Sequence, residues 1–146
     1  MEGVKLARAG NHPGLICKMK SGWLVLADMQ YLQGYCILLP DPVVSSINDL
    51  KPEKRADFLL DMATAGDALM TVPGVSRINY AIMGNSDPFL HAHIVPRYSD
   101  EPEEYLHNQP WSYPEEVMSA QRLGMMERNV LIRDLKNQIM KIRGGS

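Results

Sequence analysis

Two short apolar runs, Trp23 to Ala27 and Gly34 to Leu39, are separated by a polar stretch and closed by Pro40-Asp41-Pro42. Runs of this length suit strands. Proline cannot donate to a sheet ladder and restricts the residue before it, so the two runs read as a hairpin that stops at Pro40. From Pro52 the period changes: Phe58, Met62, Ala65 and Leu69 recur at helical spacing, Pro52 suits a first turn, and Glu53 sits well beside the positive end of the helix dipole. A helix of about five turns follows, ended by Pro73 and Gly74. Period two then returns, with Ile78, Tyr80 and Ile82 alternating against Arg77, Asn79 and Ala81 in a strand from Arg77 to Met83. Gly84 to Pro88 form a turn-rich loop, and Phe89 to Val95 is the next strand.

Beyond Tyr98 an acidic, proline-containing stretch reaches Pro114 and reads as irregular, with Trp111 and Tyr113 expected to dock on the body of the domain. Glu115 to Ile142 lacks proline and reads as helical, although Gly124 weakens one point by about 1 kcal/mol relative to alanine. Met118, Met125, Ile132 and Ile139 fall seven apart along it, with Leu135 adding to the face, while Gln121 and Arg128 spoil a coiled-coil seam. That leaves a helix packed on its own domain or on a dimer mate. Gly144, Gly145 and Ser146 read as a frayed end.

A chain of 146 residues, 45% hydrophobic and 22% charged, is the size and balance of one soluble domain that can close a core without staples. Cys17 and Cys36 belong to no Cys-x-x-Cys pair and read as buried free thiols. Without a positively charged leader, a reducing cytoplasm is the expected location. The apolar runs are far shorter than the roughly 20 residues that cross a bilayer, so no membrane span is expected. A net charge of -2, with Lys and Arg scattered, gives no pull toward nucleic acid; any phosphate site must be local.

His91 and His93 lie two apart on a strand, so both side chains point to one face. Near pH 7 most of a histidine ring is unprotonated, which makes it a competent neutral nucleophile toward phosphorus, and a neighbouring imidazole, when protonated, can donate to a phosphate oxygen. Alone, the pair also fits two solvated strand histidines, satisfied core histidines or a metal site. The metal reading needs a third ligand, and His12 and His107 lie in loops without suitable spacing, although Asp87 or Asp100 could complete a set.

The run Phe89-Leu90-His91-Ala92-His93-Ile94-Val95-Pro96-Arg97 resembles the motif of the histidine-triad (HIT) superfamily, in which three histidines alternate with apolar residues and Pro-Arg often follows. Aligning Pro96-Arg97 makes His91 the central, nucleophilic histidine and His93 the third, with Phe89 in place of the first. Gly84-Asn85-Ser86 is similar to the Gly-Gln-Ser or Gly-Gln-Thr ahead of the triad, and Asn79 falls where a phosphate-side asparagine is usual. Gly34-Tyr35-Cys36-Ile37-Leu38-Leu39-Pro40 with Asn48-Asp49-Leu50-Lys51-Pro52 is similar to the fragile histidine triad branch, where Gly-His, a strand, proline and a helix follow in order. Tyr35 stands where that histidine would. The resemblance covers about residues 15–98.

What the resemblance implies is one α+β domain (1–146), with a five-stranded, mainly antiparallel sheet and two principal helices. An irregular segment (99–114) and a C-terminal helical region (115–142) follow the core. It implies a nucleotide hydrolase or transferase acting at an α-phosphate through a nucleotidyl-histidine, with dinucleoside polyphosphates or nucleoside phosphoramidates as substrates. His91 attacks, its other ring nitrogen fixed by the Phe89 carbonyl, and His93 donates to the phosphate. Asn79, Gly84, Asn85 and Ser86 form the phosphate side, and Asp28 accepts the ribose hydroxyls. No metal and no cofactor are implied; a homodimer that joins its sheets is. Arg97 reads either as a contact to an acidic part of the substrate or as a surface ion pair. A second register, with His91 first, His93 central and Val95 third, stays open, as do a non-catalytic nucleotide-binding module and a metal-site protein.

Overall fold

The computed structural model describes residues 2–120 and 122–144. Its elements are α1 (Glu2–Arg8), β1 (Leu15–Lys18), β2 (Gly22–Leu26), β3 (Cys36–Pro40), α2 (Pro52–Leu69), β4 (Val75–Ala81), β5 (Ala92–Tyr98), α3 (Glu103–Leu106), α4 (Glu115–Ala120) and α5 (Met125–Gly144). The five strands form one antiparallel sheet in the order β1-β2-β3-β5-β4. Both expected hairpins form, β2 with β3 and β4 with β5. They are joined where Ile37 of β3 faces His93 of β5, which sets the histidines at the centre of the sheet.

The helix from Pro52 runs 18 residues, with Pro52 in its first turn. Its face Phe58, Met62, Ala65 and Leu69 is buried against Leu24, Leu38 and Ile94 of the sheet and against Leu131, Leu135 and Ile139 of α5. Burying each such large side chain contributes about 1.5–3 kcal/mol, so this layer carries most of the fold's stability. Both thiols are free; Cys36 is buried and Cys17 only partly so.

Several expectations change. The short elements α1 and β1 have no counterpart in the sequence reading. The hairpin of β4 and β5 sits two to three residues off the predicted bounds: β4 starts at Val75 and β5 at Ala92, so Phe89 to His91 precede the strand. Pro96 stays inside β5 because β3 pairs only as far as Ile94, leaving no partner that needs an N–H at Pro96.

The single helix expected over 115–142 is broken between α4 and α5, at the weak point marked by Gly124. Its buried face is Leu131, Leu135 and Ile139, four apart. The seven-residue row fails: Met125 is exposed and Met118 packs in a different cluster. A straight helix has 3.6 residues per turn, so a strict seven-residue row drifts off the face it starts on. Gln121, Gly145 and Ser146 lie outside the described residues, and Gly144 ends α5.

The segment 99–114 is less irregular than expected, holding α3 and a 3-10 turn at Pro110–Ser112. It docks on the chain itself. Tyr113 is buried with Ala27, Leu32, Tyr35 and Val95, and Tyr105 stacks on Tyr113 at 4.3 Å. This strap covers the sheet face opposite α2, on the side where His93 lies.

Candidate active site

His91 is the last residue before β5 and His93 the second residue within it, and the two rings meet edge to face with centroids 4.9 Å apart. The His91 Nδ1 lies 2.8 Å from the Phe89 carbonyl oxygen. A carbonyl can only accept, so Nδ1 carries the proton of the neutral ring and Nε2 keeps a free lone pair. The unprotonated edge of the ring is therefore fixed by backbone.

His93 is held differently. Its Nδ1 lies 2.6 Å from the Tyr35 hydroxyl, and the Trp111 indole stands edge-on to its ring, with centroids 5.3 Å apart. Burial, and then the neighbouring His91, push its pKa down to about 4. The ring is thus neutral near pH 7. Between about pH 6.5 and 4 the unfolded chain binds a proton at this position that the folded chain refuses, so stability falls as pH falls through that window. We expect the urea midpoint of the wild type to drop more between pH 7 and pH 4.5 than that of His93→Gln. Equal drops would show that His93 does not contribute.

In the register of the hairpin, Ala81 faces His93 and Asn79 faces Val95, so Asn79 and His93 point to the same side of the sheet. The Asn79 side-chain oxygen accepts from Arg97 Nη1 at 2.9 Å, which turns its amide N–H donors elsewhere. Asn79, Ala81, Met83, Val95, Gln109 and Trp111 are among the residues lining a cleft of about 370 Å³ beside the histidines.

Gly84, Asn85 and Ser86 occupy the loop that leads into Phe89 and His91, with Gly84 at φ +76, a left-handed conformation that favours glycine. Among the described residues no side-chain hydrogen bond ties Ser86 to either histidine. Asp28 is exposed in the loop between β2 and β3 and pairs with Arg122, from the link between α4 and α5. The structure therefore gathers His91, His93 and Asn79, keeps Gly84 to Ser86 in the adjoining loop, and leaves Asp28 apart in an ion pair.

Arg97 takes neither role expected of it. It is buried with Glu101 at 2.9 Å, and its remaining N–H groups reach Asn79 and the carbonyls of Tyr105 and Asn108. Burial alone would raise the Glu101 pKa, but hydrogen bonds from Arg97, Tyr113 and the Tyr98 N–H hold it below its ordinary value. The pair fastens the strap to the strand that carries His93.

Two residues of the site escaped the sequence. Tyr35 registered only as a replaced histidine and Trp111 only as a docking anchor; a buried indole or phenol needs a polar partner, and that need was the available signal. Among the described residues no group of three or more His, Cys, Asp or Glu gathers as a metal site.

No protein-family model matches the chain, and no curated protein does. Solved structures do. A histidine triad protein from Marinobacter aquaeolei superposes with a TM-score of 0.72 at 18% identity, covering 87% of this chain and 88% of its own. The chain has the histidine-triad fold. A histidine triad protein from Bradyrhizobium japonicum gives 0.70 at 22% identity over 86% of this chain and 89% of its own. A histidine triad nucleotide-binding protein from Sulfolobus tokodaii gives 0.68 at 12% identity over 98% and 94%. Within this histidine-triad fold, the α+β class, the five-stranded antiparallel sheet and the two long helices are as expected.

Proposed function

We propose that this histidine-triad fold binds a nucleotide and transfers its nucleotidyl group to His91, then to water or another acceptor. The observation that carries the reading is the bond from His91 Nδ1 to the Phe89 carbonyl, which leaves Nε2 as a lone pair beside a second imidazole. In the first step His91 Nε2 attacks the α-phosphorus, a new N–P bond forms, and the bond to the leaving group breaks with its electron pair on that group. The Phe89 carbonyl accepts from Nδ1–H as the ring becomes cationic. Water then attacks the same phosphorus and gives up its proton to the departed group or to solvent, the N–P bond breaks, and His91 regains its lone pair as the mononucleotide leaves. The uncharged N–H groups of His93 and Asn79, and the Ser86 hydroxyl with the loop from Gly84 through Asn85, supply donors to phosphate oxygens. No step calls on a metal or cofactor.

The residue pattern from Gly34 to Pro52 supports the fragile histidine triad branch, and hence a dinucleoside polyphosphate or nucleoside phosphoramidate as substrate. Asp28 would have to exchange Arg122 for ribose hydroxyls. The edge strand β4, with exposed Tyr80 in it and exposed Ile82 and Met83 after it, is where two copies would join their sheets into a homodimer. Among the described residues no helix is long and apolar enough to cross a membrane, and a cytoplasmic site of action fits the free thiols.

The test is incubation with dinucleoside polyphosphates and adenosine phosphoramidates, with and without chelator, trapping any nucleotide bonded to histidine. A mononucleotide product with a trapped adduct in both conditions is expected. Binding without product would leave a nucleotide-binding module, and activity lost in chelator would favour a metal centre.

A further inference from the structure

Behind His93 the chain builds a support that the histidine pattern does not account for. Tyr35 is 3% exposed, and its backbone is pinned on both sides: its N–H donates to the Leu32 carbonyl, while its carbonyl accepts from the Ala27 N–H and the Gln30 amide. Gln30 is itself buried, bonding Ala27 and Gly34 across the same loop. The Tyr35 hydroxyl, 2.6 Å from His93 Nδ1, is therefore placed by the loop between β2 and β3 and cannot swing away alone.

A phenol can donate or accept, and its neighbours decide which. The Tyr35 hydroxyl sits on a side chain buried away from water. The hydroxyl proton then needs an acceptor, because a buried polar proton left unpaired is costly. Among the described residues His93 Nδ1 is the acceptor within reach.

We propose that Tyr35 is the positioning residue that selects the His93 tautomer: its O–H donates to Nδ1, so Nε2 on the ring's other edge carries the proton. The neutrality of His93 near pH 7, enforced by burial, is what gives the tautomer meaning. The Trp111 ring packs edge to face on His93, so the strap takes part in enclosing the site. What the Nε2 donor then does rests on the nucleotidyl-transfer reading; the tautomer does not.

Nitrogen-15 NMR of the full chain, labelled in histidine, reads the tautomer directly. Wild-type His93 should show a protonated Nε2 and an unprotonated Nδ1, and Tyr35→Phe should move it toward a mixture. With a substrate that turns over, Tyr35→Phe should lower kcat by about ten- to a hundredfold with little change in KM, the scale seen when an outer partner of a working histidine is removed. Tyr35→His, which restores a ring N–H donor, should recover most of the loss. A protonated Nδ1 in the wild type, or an unchanged spectrum in Tyr35→Phe, overturns the proposal. If no substrate turns over, the functional reading fails and the spectrum alone decides this one. Should Tyr35→Phe not fold, the wild-type spectrum remains decisive.

Discussion

His91→Asn is expected to lower nucleotidyl transfer by about 10⁴-fold or more and to abolish the trapped adduct, because loss of a covalent nucleophile removes the step on which the other groups act. Its denaturation midpoint should stay close to the wild type, since His91 is partly exposed and, among the described residues, its one side-chain hydrogen bond is to Phe89 two residues away. His93→Gln keeps a donor and the nucleophile. It should lose about 10²- to 10³-fold, the scale of removing one donor to a developing oxyanion, and should still form the adduct. The opposite pattern, with activity kept in His91→Asn and lost only in His93→Gln, would establish the second register and sink this one.

The largest stability effect is expected at Arg97. Arg97→Met leaves the Glu101 carboxylate buried and unpaired, and strips the Asn79 oxygen and the carbonyls of Tyr105 and Asn108 of a donor. Breaking a buried pair from one side costs about 3–5 kcal/mol. Removing both charges, in Arg97→Met with Glu101→Gln, should recover part of it, because the unpaired charge is then gone. Urea unfolding of the three proteins measures this. Limited proteolysis should find the strap between Ser99 and Pro114 newly sensitive in the single variant. A loss under about 1 kcal/mol in Arg97→Met would show that the pair is solvated and that the strap is held by its aromatic contacts instead.

What could be read from residues alone was what depends on local period or on backbone. The helix from Pro52 was legible because its apolar spacing, proline start and glycine stop agree. The pairing of the two hairpins was legible because Pro40 and the turn after Gly84 leave few other ways to fold. The break near Gly124 was not: it depends on which face α5 offers to α2, and spacing alone chose the face with Met125, which stands in solvent. Likewise β1, four residues long, has too few side chains to show a period.

At the site the same division holds. His91 and its carbonyl partner lie two residues apart, so their relation could be expected from the sequence. Tyr35 and His93 are separated by 58 positions, and only the pairing of β3 with β5 brings them together. Arg97 was read as a substrate contact or a surface ion pair, whereas the strap that follows folds back and buries it.

The anchor of His91 is a main-chain oxygen, an atom that every amino acid at position 89 supplies. Substitution there can change shape and polarity around the ring without ever deleting the acceptor. Residue 89 is thereby released from chemical duty, and a histidine at that position becomes one option among many. Chains that have used this freedom would share the reacting geometry while lacking the three-histidine signature, and a search that counts histidines will pass over them where one that superposes backbones will not.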